Sequence, residues 1–127
     1  EKLSRIENSI RVIHEDCLKF IKREITRGKK YDLIFADPPV FGHGVDAEVW
    51  KFNEKFPELM ENIKKLLSDE PVGVLVNTYA ISSSSIMLAN VFKDYFPQEE
   101  ITYGELCINE HTGRLFSTGI FARWENN

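Results

Sequence analysis

The residues with the clearest chemical potential in this sequence are an aspartate and the two prolines after it, Asp37, Pro38 and Pro39, with Phe41 two residues further on. Because proline has no backbone N–H to donate, a strand that precedes this stretch should end at Asp37. In open α/β sheets, ligands bind at the carboxyl ends of the strands. A carboxylate held there beside an aromatic ring could accept a hydrogen bond from the N–H of a planar substrate and fix that substrate in place.

The segment before Asp37 predicts the strand that positions it. Residues 31–36 are mostly apolar, and a short apolar run bounded by proline is typical of a parallel strand buried on both faces. We therefore expect a central parallel strand with Asp37 at its carboxyl end. A second apolar run, residues 72–77, should end at the same edge of the sheet, with Asn77 and Tyr79 at its carboxyl end.

The remaining sequence predicts three strand–helix units followed by a hairpin. Asp16 is a good N-cap for the first helix and Gly28 a suitable stop, while Asn53 could cap the second helix with Pro57 in its first turn. The predicted strands are residues 10–14, 31–37, 72–77, 101–109 and 115–124, and the predicted helices are residues 17–27, 53–67 and 86–95. This order, β-α-β-α-β-α-β-β, indicates one α/β domain that begins with a right-handed βαβ unit.

Composition limits the class of protein. The chain has 127 residues, of which 43% are hydrophobic and 28% charged, a balance typical of one soluble globular domain. Its net charge of −4 argues against strong non-specific nucleic-acid binding by this stretch alone, but it leaves open a nucleic acid gripped mainly by another domain. Cys17 and Cys107 fit neither metal-ligand spacing nor a disulfide framework, which favours the cytoplasm. We expect no membrane span, and the start at Glu1 without Met suggests a piece of a longer protein.

The order of elements, with Asp-Pro-Pro after the second strand, resembles the latter part of the class I S-adenosylmethionine-dependent methyltransferases. The run Asp37-Pro38-Pro39-Val40-Phe41 resembles the Asp-Pro-Pro-x-Phe motif of a branch that includes the large-subunit ribosomal RNA cytosine methyltransferases. Residues 48–51, 77–79 and 119–124 extend the resemblance over nearly the whole chain. It implies a partial Rossmann-like sheet, residues 1–127 as the C-terminal portion of one methyltransferase domain, S-adenosylmethionine as cofactor, and an RNA substrate in rRNA processing.

The resemblance also implies roles for residues on the cofactor side. Asp16 would receive the adenine amino group, with the backbone N–H of Cys17 nearby; the alternative is that Asp16 only caps the helix. Asp37 would face the transferred methyl group and orient the target. The alternative for Asp37 is a carboxylate that caps the Pro-Pro bend. Direct transfer from sulfonium to nucleophile would need no metal.

On the substrate side, the resemblance places Pro38 and Phe41 in the catalytic motif and Asn77 and Tyr79 in the substrate pocket. Phe41 could stack on a target base, or it could pack into the core. Asn77 and Tyr79 could line the pocket, or they could be satisfied polar groups at a strand end. We expect Trp50 to pack rather than to bind.

Two elements of the family's cofactor site lie upstream of this pattern and are not among the 127 residues: the glycine-rich loop and the acidic residue that holds the ribose. The strands that carry them normally lie between the strand of residues 10–14 and the strand that ends at Asp37. We therefore expect the chain alone to bind S-adenosylmethionine poorly and to be inactive. We also expect an unpaired sheet edge that could form a homodimer.

The position of the cysteines bears on the methylated atom. Formation of 5-methylcytosine needs a Cys that attacks the ring, and in the related cytosine enzymes it follows the strand equivalent to residues 72–77. Residues 77–80 contain no Cys, so transfer to nitrogen or oxygen is at least as well supported. Two other readings stay open: a non-catalytic methyltransferase-like interaction module, and another nucleotide-binding α/β protein such as a small hydrolase or reductase. The terminal hairpin and the missing phosphate loop count against the second.

Overall fold

The computed structural model of the chain describes residues 10–43, 49–79 and 81–126. Within them, the helices are α1 (Cys17–Thr26), α2 (Phe52–Leu66) and α3 (Ser85–Tyr95), and the strands are β1 (Leu33–Ala36), β2 (Phe41–His43), β3 (Val49–Lys51), β4 (Gly73–Thr78), β5 (Thr102–Asn109) and β6 (Leu115–Glu125). Four strands form a mixed sheet in the order β1-β4-β6-β5, and β2 pairs separately with β3. The described chain is therefore a mixed α/β structure, as predicted.

Parallel pairing of β1 with β4 sets Ile34 opposite Val74 and Ala36 opposite Val76. Strand β6 then pairs antiparallel with both β4 and β5. The turn between β5 and β6 contains Gly113 at φ +83°, a backbone conformation that favours glycine. The partial Rossmann-like sheet and its C-terminal hairpin are thus confirmed.

The core lies on one face of this sheet. Val74, Val76 and Ala122 are almost fully buried on that face, because residues of α2 and α3 at helical spacing pack together with them. The buried residues of these two helices include Phe56, Leu59, Met60, Ile63, Leu88 and Phe92. This core fixes the positions at which β1 and β4 end.

The predicted first strand is wrong. Residues 10–14 belong to no strand, and Val12 is 87% exposed. Apolar residues favour an extended conformation, but a strand also needs a neighbour that pairs with its N–H and C=O groups. None of the described strands lies beside this segment.

Strand β1 also differs from the prediction of a central strand buried on both faces. It lies at the edge of the described sheet, with Leu33 46% and Phe35 67% exposed. The reason is that β1 has a described strand on one side only, and the helices cover only the face that carries Ile34 and Ala36. The strand ends at Ala36, and Asp37 follows it directly, as the two prolines predict.

Helix α2 begins at Phe52, so the predicted cap at Asn53 is wrong. The backbone N–H of Phe52 donates to the carbonyl of Val40 at 3.0 Å, and its ring stacks on Phe56 with 4.4 Å between centroids. These contacts draw Phe52 into the first turn. Pro57 consequently lies inside the helix rather than in its first turn.

Helix α1 has the predicted caps. The Asp16 carboxylate accepts a hydrogen bond from the N–H of Lys19 at 2.9 Å, and Gly28 follows the helix at φ +65°. On its inner face, the buried Glu24 accepts a hydrogen bond of 2.9 Å from the Tyr31 hydroxyl. This contact ties α1 to the start of β1. None of the described helices has both the length and the apolar character to cross a membrane.

Candidate active site

Asp37 lies directly after β1 with its side chain exposed at the carboxyl edge of the sheet. Its Oδ1 accepts a hydrogen bond of 2.7 Å from Nδ2 of Asn77. Because β1 and β4 run parallel and Ala36 lies opposite Val76, the next residues along the two strands are neighbours. The sheet register therefore holds the Asp37 carboxylate in place from a residue 40 positions away.

The two prolines form a turn that neighbouring elements grip on both sides. The carbonyl of Pro38 accepts a hydrogen bond of 3.3 Å from Oγ1 of Thr78, which is 1% exposed. The carbonyl of Pro39 accepts a hydrogen bond from Nε1 of Trp50. Since proline carbonyls have no strand partner here, these side chains replace the ladder bonds and fix the direction in which Asp37 points.

A cavity of about 240 Å³ separates the first turn of α1 from the end of β1; we call it the Asp37 cavity. Its lining is mostly apolar: Cys17, Ile21, Ile34, Phe35, Ala36, Asp37, Pro38, Pro39, Trp50, Leu59 and Ile63. Two of the predicted cofactor-side residues, Cys17 and Asp37, thus border one space. A flat apolar ligand that carries a few polar groups would suit such a lining.

Asp16, the third predicted cofactor-side residue, lines a neighbouring cleft of about 190 Å³. That cleft also contains Lys19, Lys22 and Trp50. The indole of Trp50 borders both spaces and therefore forms the wall between them. The sequence predicts only packing for Trp50, and its bond to the proline turn depends on a β2–β3 pairing that the sequence did not predict.

Cys17 is unsuited to act as a nucleophile. Cys17 is exposed at the surface, but partial desolvation by the surrounding atoms and the neighbouring Asp16 carboxylate raise the pKa of its thiol, which disfavours the reactive thiolate. This cysteine therefore contributes its backbone and apolar surface to the Asp37 cavity, and no thiolate.

The residues predicted for the substrate side lie on more than one surface. Phe41 is 55% exposed and borders an open depression of about 360 Å³ with Asn53, Ser82 and Ser83. Tyr79 is also exposed but borders a different depression, beside the point where β6 begins to pair with β4. The structure therefore brings Asn77 to Asp37, whereas Phe41 and Tyr79 each border a separate depression and neither lines the Asp37 cavity.

A metal centre has no support in the described ranges 10–43, 49–79 and 81–126. No three side chains of the His, Cys, Asp and Glu types come close enough in them to hold an ion.

His43, on β2, packs edge-on against the Phe41 ring with 5.0 Å between centroids.

Comparison with solved structures gives the fold a context. The chain is similar to an S-adenosylmethionine-dependent methyltransferase from Agrobacterium tumefaciens, with 35% identity and a TM-score of 0.87 over 91% of this chain. It also resembles SMU.776, which is described as a methyltransferase and was solved with S-adenosylhomocysteine, at 18% identity and a TM-score of 0.60 over 86% of this chain. A third match is M1.HpyAVI in complex with S-adenosylmethionine, at 16% identity and a TM-score of 0.53 over 93% of this chain.

The matched proteins are longer than this chain. It spans 40% of the length of the Agrobacterium protein, 30% of SMU.776 and 56% of M1.HpyAVI. The sequence matches no model of a known protein family.

Proposed function

We propose that this chain, whose fold is that of the class I S-adenosylmethionine-dependent methyltransferases, forms part of an enzyme that methylates RNA. The observation that carries the proposal is the Asp37 cavity, which brings the exposed carboxylate at the end of β1 together with the first turn of α1. A sealed core around Asp37, or no space shared with α1, would have removed the basis for methyl transfer.

The residues present fit the proposed cofactor. Its adenine ring needs an apolar cavity with a few polar groups at the rim, and the Asp37 cavity offers Ile21 and Ile34 with the backbone of Cys17. Asp16 borders the neighbouring cleft across Trp50, so the adenine amino group would have to reach the rim between the two spaces to donate to Oδ2 of Asp16, while Oδ1 continues to cap α1. When bound, S-adenosylmethionine supplies a methyl group on a positively charged sulfur.

The task of Asp37 in this proposal is positioning. Its carboxylate accepts a hydrogen bond from the acceptor N–H or O–H and holds the attacking atom in line with the methyl group. The Asn77 amide fixes one carboxylate oxygen and leaves the other for the substrate. The grip of Thr78 and Trp50 on the turn of Pro38 and Pro39 keeps this geometry rigid.

An exposed aromatic ring is the feature that favours RNA. Phe41 can stack on an unpaired base, an interaction worth about 1–3 kcal/mol per base in single-strand binding. Nitrogen or oxygen is the proposed acceptor, because residues 77–80, at the end of β4, contain no cysteine and the pKa of the Cys17 thiol is raised. Tyr79 stays a proposed substrate-side residue, in the separate depression that it borders.

Two finer points belong to the same proposal. In the 127-residue chain by itself, the free edge of β1 would pair with a second copy, since its apolar residues and backbone groups have no described neighbour there. The cytoplasm is the proposed location, and the free thiols of Cys17 and Cys107 fit a reducing compartment.

An NMR titration of the chain with S-adenosylhomocysteine tests the cofactor assignment and can detect weak binding. We expect shifts of the amides of Asp16, Cys17 and Asp37, with little change in the β5–β6 hairpin. A folded chain that shows no shift at these amides would contradict the assignment. That result would instead favour a non-catalytic interaction module.

A further inference from the structure

Positive charge in this chain is concentrated in α1 and the turn after it. Residues 17–30 carry six Lys and Arg side chains against one carboxylate, Glu24, although the whole chain has a net charge of −4. Residues 68–126 hold eight acidic side chains and three basic ones. Positive and negative charges are therefore concentrated in different parts of the sequence. We call the six basic side chains of residues 17–30 the basic surface: Lys19, Lys22, Arg23, Arg27, Lys29 and Lys30.

Local carboxylates compensate only part of this charge. Lys22 pairs with Glu58, Arg23 with Glu15 and Arg27 with Glu24. Lys29 is exposed and makes no ion pair with any described residue. The Nζ of Lys30 donates to the carbonyl of Lys65 at 3.0 Å, a contact that leaves its charge uncompensated.

Helix stability does not account for this arrangement. Cations are favourable in the last turn of a helix, where they oppose the negative end of the helix dipole, and that explains Arg23. Lys19 lies in the first turn of α1, where the same dipole disfavours a cation. Lys22 lies in the middle of the helix, and its ion pair with Glu58 joins α1 to α2. Lys29 and Lys30 lie beyond the end of the helix, so the dipole does not explain their charges.

The basic surface leads to the candidate site. Lys19 and Lys22 border the cleft whose far wall is Trp50, and Trp50 also borders the Asp37 cavity. Helix α1 has 10 residues and is therefore about 15 Å long. A strand with one phosphate per roughly 3.4 Å, the spacing in duplex DNA, would place several phosphates along it.

We infer that the basic surface docks the phosphate backbone of an RNA strand and guides it toward the Asp37 cavity. The choice of RNA rests on the proposed function. The charge pattern complements a polyanion along α1, and the acidic half of the chain repels the same strand elsewhere. The contact is electrostatic and independent of base sequence.

The salt dependence of binding tests this inference. The probe is a short fluorescein-labelled oligouridylate, and the measurement is the fluorescence anisotropy of the 127-residue chain with that probe between about 50 and 200 mM salt. The variant Lys29→Gln with Lys30→Gln removes two exposed charges outside the helix. Its matched control, Lys93→Gln with Arg114→Gln, removes the same charge from the acidic half of the sequence.

We expect the slope of log K against log salt to become shallower by about 1.4 in the first double variant, because each lost phosphate contact contributes about 0.7 for a single strand. The control should keep the wild-type slope. Equal changes in both variants, or no binding by the wild type, would overturn the inference. Phosphatidylserine vesicles that bind equally well and depend on the same lysines would also overturn it, in favour of an anionic lipid surface.

The result of this binding experiment can be distinguished from the result of the cofactor titration that tests the proposed function. Neither Lys29 nor Lys30 borders the Asp37 cavity, so S-adenosylhomocysteine should shift the same amides in the double variant as in the wild type. A chain that binds the oligonucleotide through these lysines but shows no cofactor shifts would retain the docking surface and contradict the methyltransferase assignment.

Discussion

The carboxylate of Asp37 and the amide of Asn77 are 40 residues apart in sequence and are joined by a hydrogen bond of 2.7 Å. The bond lies where two parallel strands end, next to the Asp37 cavity. It makes Asn77 a positioning residue in the proposed reaction, since it acts on the substrate through Asp37.

Replacement of Asn77 by Ala should lower kcat by about 10²-fold, the cost typical of a misplacement by about 1 Å, and leave KM for S-adenosylmethionine nearly unchanged. The measurement is methyl transfer to RNA by the enzyme that carries this chain. Asn109→Ala, on the distant hairpin, is the control and should leave both kinetic constants intact.

Replacement of Trp50 by Phe should lower the free energy of unfolding by about 1 kcal/mol, through loss of the hydrogen bond to the Pro39 carbonyl. Urea denaturation of the wild-type and variant chains measures this loss in the free energy of unfolding. Trp124→Phe is the comparison variant. The buried Nε1 of Trp124 has no hydrogen-bond partner among the described residues, so this replacement removes part of an indole ring without removing a hydrogen bond. An unchanged unfolding free energy in Trp50→Phe would mean that the indole does not hold the proline turn.

Acid should weaken the contact between α1 and β1. The hydrogen bond from Tyr31, aided by Arg27, lowers the pKa of the buried Glu24, so its stabilisation is complete above its ordinary pKa of about 4.3 and is lost as pH falls through the lowered value. Burial and the bond to Glu24 raise the pKa of Tyr31, so its own contribution is lost as pH rises above about 10.

Urea denaturation at a series of acidic to neutral pH values measures the free energy of unfolding of wild type and of Glu24→Gln. The difference between their free energies of unfolding should narrow as pH falls below about 4.3. Glu61→Gln, at an exposed position on α2, should follow the wild type throughout. A difference for Glu24→Gln that stays constant with pH would contradict the role given to this carboxylate.

Replacement of Gly73 by Ala should destabilise the sheet by about 1–3 kcal/mol, a cost typical of overpacking. A Cβ at this position would lie 2.5 Å from the carbonyl oxygen of Trp124, so the pairing of β4 with β6 must shift. Gly42→Ala is the matched control, because its nearest contact would be an ordinary 3.6 Å to Pro39. Thermal unfolding of the two variants distinguishes them, and equal melting temperatures would count against this packing.

Local signals in the sequence were sufficient for several features. The cap at Asp16, the stop at Gly28 and the end of β1 before Pro38 each depend on the chemistry of one or two adjacent residues, and the structure contains all three. The apolar periodicity likewise predicted α2 and α3 to within a few residues.

Features that depend on distant partners could not be predicted in the same way. Residues 10–14 have strand-like composition, but composition does not supply a neighbouring strand. The bond between Asn77 and Asp37 depends on the register of β1 against β4, and the contact of Trp50 with Pro39 depends on the pairing of β2 with β3. A single sequence contains no direct record of either register.

The most direct test of the central claim is mass spectrometry of RNA nucleosides from cells whose genomic copy carries Asp37→Asn. This variant retains a side chain of the same size but loses the negative charge at the edge of the Asp37 cavity. We predict that one methylated nucleoside present in wild-type RNA falls to background and returns when the wild-type gene is restored. An unchanged set of methylated nucleosides, with the variant protein present at wild-type level, would contradict a role for Asp37 in methyl transfer to RNA.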